Sequence, residues 1–404
     1  MLIDRPQYWH HLEQWKDKSV IKVVIGVRRC GKSTLLELFA RHLIDTGTPK
    51  DHIISINLES LGNESLLEYH KLYDTILSRC EDDGKGDSGG KYYVMLDEIQ
   101  NVPEFQKVLD SLQTHHNIDL YVTGSNATML SGTLATLISG RYVEISVTPL
   151  SFAEYRSAAP KDETVQRTWS RYLYEGSFPA IHELNGNNSL IDDYLEGILN
   201  TILVKDVVQR SGTSRTATLD ALTRYMFDNI GNLTTPRSIA NAMTSLNAKV
   251  SAPTVSSYLE ALNSAFILYP VSRYDIKGKR IFRQERKYYG VDMGMRRILC
   301  SGRVRDTERI LENIVFLELK RRNREVYIGQ GSNGAIDFVT NGTNGPAYYQ
   351  VCESVHNPET LERELSSFRG VDDNYPKSLI TLDDELPTEH NGIRQVYALD
   401  WLLE

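Results

Sequence analysis

Cysteine is scarce in this 404-residue chain, which holds four: Cys30, Cys80, Cys300 and Cys352. No two stand at C-x-x-C spacing, so neither a disulfide framework nor a zinc site is indicated. Such scarcity fits a reducing cytosol. Long apolar runs are missing too. None approaches the roughly 18–20 residues of a membrane span, and the N-terminus lacks the apolar core of a signal peptide. A soluble cytoplasmic protein is expected, attached to a membrane only through a partner. There is no excess of positive charge. With 45 Lys/Arg against 53 Asp/Glu the net charge is -8, which excludes a protein that coats nucleic acid with its whole surface. The charge is segregated, however. Val271–Arg309 carries 12 Lys/Arg against 5 Asp/Glu, and Glu353–Glu404 carries 4 against 12. Any nucleic-acid surface should lie on the first of these stretches. The length and a hydrophobic share of 41% allow two or three domains.

What is present is organised around residues 22–34. Val23 to Ile25 read as a short buried strand. Gly26-Val27-Arg28-Arg29-Cys30-Gly31-Lys32-Ser33 fits G-x-x-x-x-G-K-[ST] at every fixed position, and Thr34 leads into an apolar-periodic helix. This is the strand–loop–helix context of a phosphate-binding loop. Glycines let several backbone N–H groups point at one anion, and the helix N-terminus adds partial positive charge. Lys32 can reach the β- and γ-phosphates, and the Ser33 hydroxyl can ligate Mg²⁺.

The rest of the first 150 residues supplies the partners of such a loop. A helix over Tyr8–Lys18, led by Arg5-Pro6, either flaps over the base or packs on the core. Ile53–Glu59 alternates as a strand, and a helix over 65–80 follows. Residues 81–90 have the composition of an exposed loop. Tyr92–Leu96 is an apolar strand ending in Asp97 and Glu98, and Leu120–Asn126 is another with polar groups at its C-terminal end. Strands alternating with helices predict a parallel α/β sheet, whose ligands sit at the strands' C-terminal ends. Asp97 there can hold the Mg²⁺ shell, and Glu98 can polarise the attacking water. Asn126 either orients that water or caps a turn. Arg141 either meets the γ-phosphate, of its own site or a neighbour's, or forms a structural salt bridge.

These residues resemble a known family, the AAA-type ATP-binding proteins of bacteria and archaea that carry an uncharacterised C-terminal region. The matching stretches are Gly26–Thr34, Tyr93–Gln100, Thr123–Ala127, Ser139–Arg141, Thr148–Tyr155, Gly176–Pro179 and Asn200–Val207. The resemblance covers essentially the whole chain. It implies an AAA+-like P-loop ATPase core over 1–148, a helical lid or linker over 149–215, a winged helix over 216–290 and a restriction-endonuclease-like α/β fold over 291–404. It also favours adenine over guanine, hence ATP with Mg²⁺ as cofactors.

In the lid, Arg171 and Arg210 are candidate second sensors, although nothing in the spacing singles them out. The winged helix reads as helices over 217–230, 236–243 and 251–262 followed by a hairpin, Ile267–Tyr274 and Arg280–Tyr289. Its third helix offers Thr254, Ser256, Ser257 and Tyr258 to phosphate or base edges, yet carries no Lys or Arg. The wing carries Lys277, Lys279, Arg280 and Arg283. Such modules also bind proteins. In the last region Glu312 and Glu318 on a helix, then Asp337, then Gln350-Val351-Cys352 follow the nuclease order of Glu, Asp and (Asp/Glu)-x-Lys. An amide and a thiol replace the second carboxylate and the lysine. The fold is therefore expected to have lost cleavage. Three readings compete: a Mg²⁺-dependent ATPase that drives a conformational switch, singly or as a homo-oligomer; an ATP-held binding module with negligible turnover, whose partner is DNA or protein; and an ATP-gated nuclease.

Overall fold

A computed structural model describes all residues except 1–2, 82–89, 127–139, 209–215, 301–305, 323–324, 332–333, 343 and 385–387. Arg210, the loop expected over 81–90 (apart from its two ends) and the side chain of Arg283 lie outside the described residues. The chain forms two compact units. One comprises Met1–Pro149 with Ser264–Phe266, the other Leu150–Asn263 with Ile267–Glu404.

The first unit is built on five strands: β1 (Ile21–Ile25), β2 (Ile53–Asn57), β3 (Tyr92–Asp97), β4 (Ile118–Gly124) and β5 (Tyr142–Ser146). They lie in the order β2-β3-β4-β1-β5, and every pairing is parallel. The three inner strands are buried at every position, whereas β2 and β5 at the edges alternate. This division explains the sequence. A parallel strand covered on both faces needs an apolar run, and a partly open one needs only every second residue. Among the described residues the unit also holds the α-helices α1 (Pro6–Trp15), α2 (Lys32–Asp45), α3 (Tyr69–Glu81) and α4 (Phe105–Gln113). On α4, Phe105, Val108, Leu109 and Leu112 are buried, the i, i+3, i+4, i+7 stripe of a helix lying on a core. Helix α1 packs on the core. Tyr8 and Leu12 are buried, and the Tyr8 hydroxyl lies 3.2 Å from the Thr148 hydroxyl. The parallel register brings Ile25, Gly124 and Ser146 to one edge of the sheet. Asp97 ends β3 at that edge, beside Asn57.

The second unit opens with α5 (Phe152–Ser157), α6 (Val165–Glu175) and α7 (Asn188–Thr201). Ser151 and Glu154 form a capping box that starts α5, giving Ser-Phe-Ala-Glu its local reason. Gly176 ends α6 at φ 87°, where a Cβ would sit 2.6 Å from the Asp292 carboxylate. That buried carboxylate accepts from Ser177 N (2.6 Å), the Ser177 hydroxyl (2.7 Å) and Met295 N (2.7 Å). Gly176-Ser177 is thus a docking point for Asp292.

Next come α8 (Thr216–Asp228), α9 (Pro236–Ser245) and α10 (Ala252–Ser264), then strands β6 (Leu268–Asp275) and β7 (Arg280–Gly290). A bridge between Thr234 and Arg286 ties the start of α9 to β7. The hairpin does not stand alone. Strand β6 pairs in parallel with β8 (Val326–Gly331), inside an eight-stranded mixed sheet. The other members are β9 (Gly334–Gly342), β10 (Gly345–Val351), β11 (Lys377–Thr381), β12 (Thr388–His390) and β13 (Ile393–Tyr397). One sheet therefore runs across residue 290. Three further helices complete the unit: α11 (Met293–Leu299), α12 (Thr307–Arg322) and α13 (Pro358–Ser366), with a short C-terminal helix at Ala398–Leu403.

Candidate functional site

Gly26 follows β1, and a Cβ on it would lie 2.0 Å from the Val147 carbonyl oxygen. No side chain fits there, so the motif's first glycine is fixed by close backbone approach. Gly31, at φ 100°, supplies the left-handed turn into α2. Cys30 between them is buried, its thiol 3.4 Å from the Val147 carbonyl, and burial pushes that thiol's pKa up. The loop is also braced by Arg5. This buried guanidinium donates to the carbonyls of Cys30 (3.0 Å) and Thr148 (2.9 Å) and lies over the Tyr8 ring. The sequence pointed to Arg5-Pro6 only as a helix start.

Lys32 is buried, and its ammonium donates to the carbonyls of Gly26 (3.1 Å) and Val27 (3.2 Å). It lies 3.7 Å from the Glu98 carboxylate. The Ser33 hydroxyl donates to Asp97 Oδ1 at 2.9 Å. Asp97 also accepts from the Thr123 hydroxyl (2.5 Å) and the Asn57 amide (3.3 Å). Thr123 in turn accepts from the Glu98 backbone N–H at 2.8 Å. One hydroxyl at the end of β4 thus fixes both acids at the end of β3. Glu98 sits in the left-handed region, φ 55° and ψ 50°. For a non-glycine residue that costs about 1–3 kcal/mol. The turn lifts its side chain from the sheet toward Lys32, and the Gln100 amide donates to it and to the Ser125 hydroxyl (3.4 Å). Thr123, Asn57 and Gln100 were not singled out by sequence reasoning. For Asn57 and Thr123 the available signal was their position at strand ends facing the loop, whereas Gln100 lies in the turn that follows β3.

Among the residues the sequence proposed, Lys32, Ser33, Asp97 and Glu98 come together. Asn126 is buried just beyond the end of β4, at the same edge. Val27 is buried, Arg28 donates to Glu59 at 3.1 Å, and Arg29 is exposed at φ 68°. Thr34 is exposed on the first turn of α2. Arg141 is placed elsewhere. Its carbonyl accepts from Ile21 N at 2.9 Å, and Tyr142 pairs with Ile21. It therefore lies at the N-terminal edge of the sheet, a whole strand of roughly 16 Å from the loop. An arginine side chain does not span that distance to its own γ-phosphate. In the second unit, Arg171 is committed to Glu163 and Glu175, both at 2.9 Å.

Residues 18–156 match the AAA domain, and residues 166–305 match a domain of unknown function. An uncharacterized protein of Haemophilus influenzae is 36% identical over 406 residues, covering 100% of this chain and 99% of its own. The chain belongs to this AAA-domain family. An uncharacterized protein of Methanocaldococcus jannaschii is 29% identical over 392 residues, covering 90% of this chain and 82% of its own. Among solved structures, the Aeropyrum pernix Orc1 protein in complex with DNA is a distant likeness. It is 14% identical, with TM-score 0.31 over 74% of this chain and 93% of that one. The described residues include no helix long and apolar enough to cross a membrane.

Outside the AAA domain, the second unit has a partly buried polar centre that departs from the sequence expectation. Glu312 on α12 does approach Asp337 on β9, but through Lys287 of β7. The lysine ammonium lies 2.7 Å from Glu312 and 3.5 Å from Asp337, and the Tyr289 hydroxyl donates to Glu312 at 2.5 Å. Glu318 does not join them. It pairs with Arg321 and with Arg322 (2.7 Å). Gln350 accepts from Asp337 N (3.3 Å) and donates to Glu364 (2.7 Å). Cys352 stands near Glu364 and Glu308 instead. Lys287 escaped sequence reading because it precedes the nuclease-like order. Its two-residue spacing from Tyr289, one face of a strand, was the available signal.

Burial and the charge of Glu312 push the Asp337 carboxyl up to about 7, against the opposing pull of Lys287 and Val351 N–H. A carboxyl with a folded pKa above its unfolded value holds its proton more tightly when folded. Its contribution is thus greatest at low pH and falls as pH rises from about 4 to about 7. Urea midpoints should decline across that window in the native chain and decline less steeply in Asp337→Asn, since burial also raises Asp292 and Glu308. An unchanged decline in the variant would remove Asp337 as its source.

Proposed function

We propose that the protein binds ATP with Mg²⁺ and hydrolyses it, and that the cycle switches the conformation of the second unit. The convergence of Lys32, Ser33, Asp97 and Glu98 at one edge of the sheet carries this reading. The donor set fits magnesium. Ser33 and Asp97 are oxygen ligands only 2.9 Å apart, and small hard cations take oxygen. Bound there, the ion would offset phosphate charge and orient the nucleotide. The backbone N–H groups of residues 26–34 would cradle the phosphates. Lys32 would exchange its two carbonyl partners for β- and γ-oxygens, and Glu98 would take a proton from the attacking water. Asn126, at the same edge, would orient that water. Arg141, at the opposite edge, would serve only the site of a neighbouring copy in a homo-oligomer.

In this reading the second unit is the effector: a helical lid, a winged helix meeting DNA or a protein partner, and a restriction-endonuclease-like sheet without cleavage. Lys287 supports the loss of cleavage, because its ammonium occupies the space between Glu312 and Asp337. Phosphate release from ATP by the whole chain, with Mg²⁺ and then with EDTA, tests the enzyme. Turnover that requires the metal is expected. ATP binding without phosphate release in either condition would leave a binding module in its place.

A further inference from the structure

Residues 277–282, at the tip of the β6–β7 hairpin, are all exposed. Three carry cations: Lys277, Lys279 and Arg280. The next two are apolar, Ile281 at 46% exposure and Phe282 at 44%. The carboxylate nearest in sequence, Asp275, is turned into the hairpin. Its Oδ1 accepts from Lys277 N (3.1 Å) and Gly278 N (2.9 Å). A Cβ at Gly278 would lie 2.4 Å from that carboxylate, so the turn is built for this contact. Among the described residues, none of the three cations has a carboxylate partner. The tip is held from below, since Tyr274 and Asp275 of β6 pair with Gly329 and Gln330 of β8. A preformed ribbon therefore presents three unpaired cations beside two apolar side chains.

Helix α10, the third helix of the expected winged helix, offers nothing comparable. It turns Val255, Tyr258, Leu259 and Leu262 inward. Its exposed positions are Pro253, Ser257 and Glu260. Tyr258 is 4% exposed, which removes it as a base contact. A helix exposing a carboxylate and no cation is poorly suited to enter a groove walled by phosphates.

We propose that the hairpin tip, and not α10, is a duplex-DNA contact, and that it is independent of base sequence. A two-stranded ribbon fits the width of the major groove. Lys277, Lys279 and Arg280 neutralise backbone phosphates, while Ile281 and Phe282 lie against the groove wall. This deepens the switching reading by naming the partner of the second unit. The test uses no nucleotide, so its failure leaves the hydrolysis assay untouched.

The experiment is fluorescence anisotropy of a labelled mixed-sequence duplex titrated with the whole chain at several KCl concentrations. Three phosphate contacts give a slope of about −2.7 in log affinity against log salt, or about 40-fold between about 50 and 200 mM. Lys277→Ala/Lys279→Ala/Arg280→Ala should flatten that slope to near zero and weaken binding more than about tenfold at the lower salt. Phe282→Ser should weaken binding and leave the slope in place. Ser257→Ala/Glu260→Ala on α10 should bind as the native chain does. All these positions are exposed, and circular dichroism checks that each variant folds. The proposal is overturned if the native chain does not bind the duplex, if the triple variant keeps its affinity and slope, or if the α10 variant is the one that loses binding.

Discussion

Glu98→Gln should keep ATP binding and lose hydrolysis, with kcat falling about 100- to 10,000-fold, the range of a positioned general base. The substitution preserves shape and leaves an amide oxygen for the Gln100 amide that now donates to Glu98. It removes the carboxylate that lies 3.7 Å from the Lys32 ammonium. Affinity for ATP should stay level or rise, because Lys32 no longer has to leave an anionic neighbour before meeting the phosphates. Lys32→Ala should fail earlier in the cycle. Its ammonium is the loop charge that a phosphate-binding loop directs at the β- and γ-oxygens, so binding and turnover should fall together. Titration with a fluorescent ATP analogue separates binding from phosphate release. If Glu98→Gln turns over like the native chain, Glu98 is not the base. Equal loss of binding in both variants would instead make Glu98 a support for the loop.

The site's location was legible because each part has a local cause. Gly26 and Gly31 are needed by close approach and by a left-handed turn, and both needs survive in a motif. Asp97 and Glu98 were legible because an unbroken apolar strand announces a covered parallel strand and so fixes which end faces the ligand. Which site Arg141 could serve was not legible, for the complementary reason. Its position follows from the pairing of β5 with β1, a register between residues far apart in sequence. Long-range pairing likewise hid the union of the hairpin with the eight-stranded sheet, which depends on three residues of β6 meeting β8. Lys287 shows the same limit in the second unit. A lysine on one strand, a glutamate on a helix and an aspartate on another strand meet only once the sheet has formed. The left-handed backbone of Glu98 is also a tertiary fact with no sequence signature.

Lys22→Met should destabilise the AAA domain by about 3–5 kcal/mol, the cost of leaving a buried charge unpaired. Lys22 lies on β1, four positions before Gly26, and is 0% exposed. Its ammonium pairs with Asp119, itself 1% exposed, and donates to the Lys18 carbonyl at 3.0 Å. Burial pulls its pKa down and Asp119 pulls it back up, so the pair depends on both members. Methionine fills the space but strands the Asp119 carboxylate. Asp119→Leu strands the ammonium instead, and also removes the acceptor of the Tyr121 hydroxyl (2.9 Å) and of Asp17 N (3.0 Å). The double variant separates charge from packing. With no charge left, it should recover much of the loss and stay below the native chain by about 1–3 kcal/mol for each of those unsatisfied donors. Urea unfolding followed by fluorescence measures the series. Equal losses in the double variant and the sum of the singles would mean that the two side chains do not act as a pair. Because β1 runs directly into the phosphate loop, the singles should also lower ATP affinity, and the double variant should restore it in step with stability.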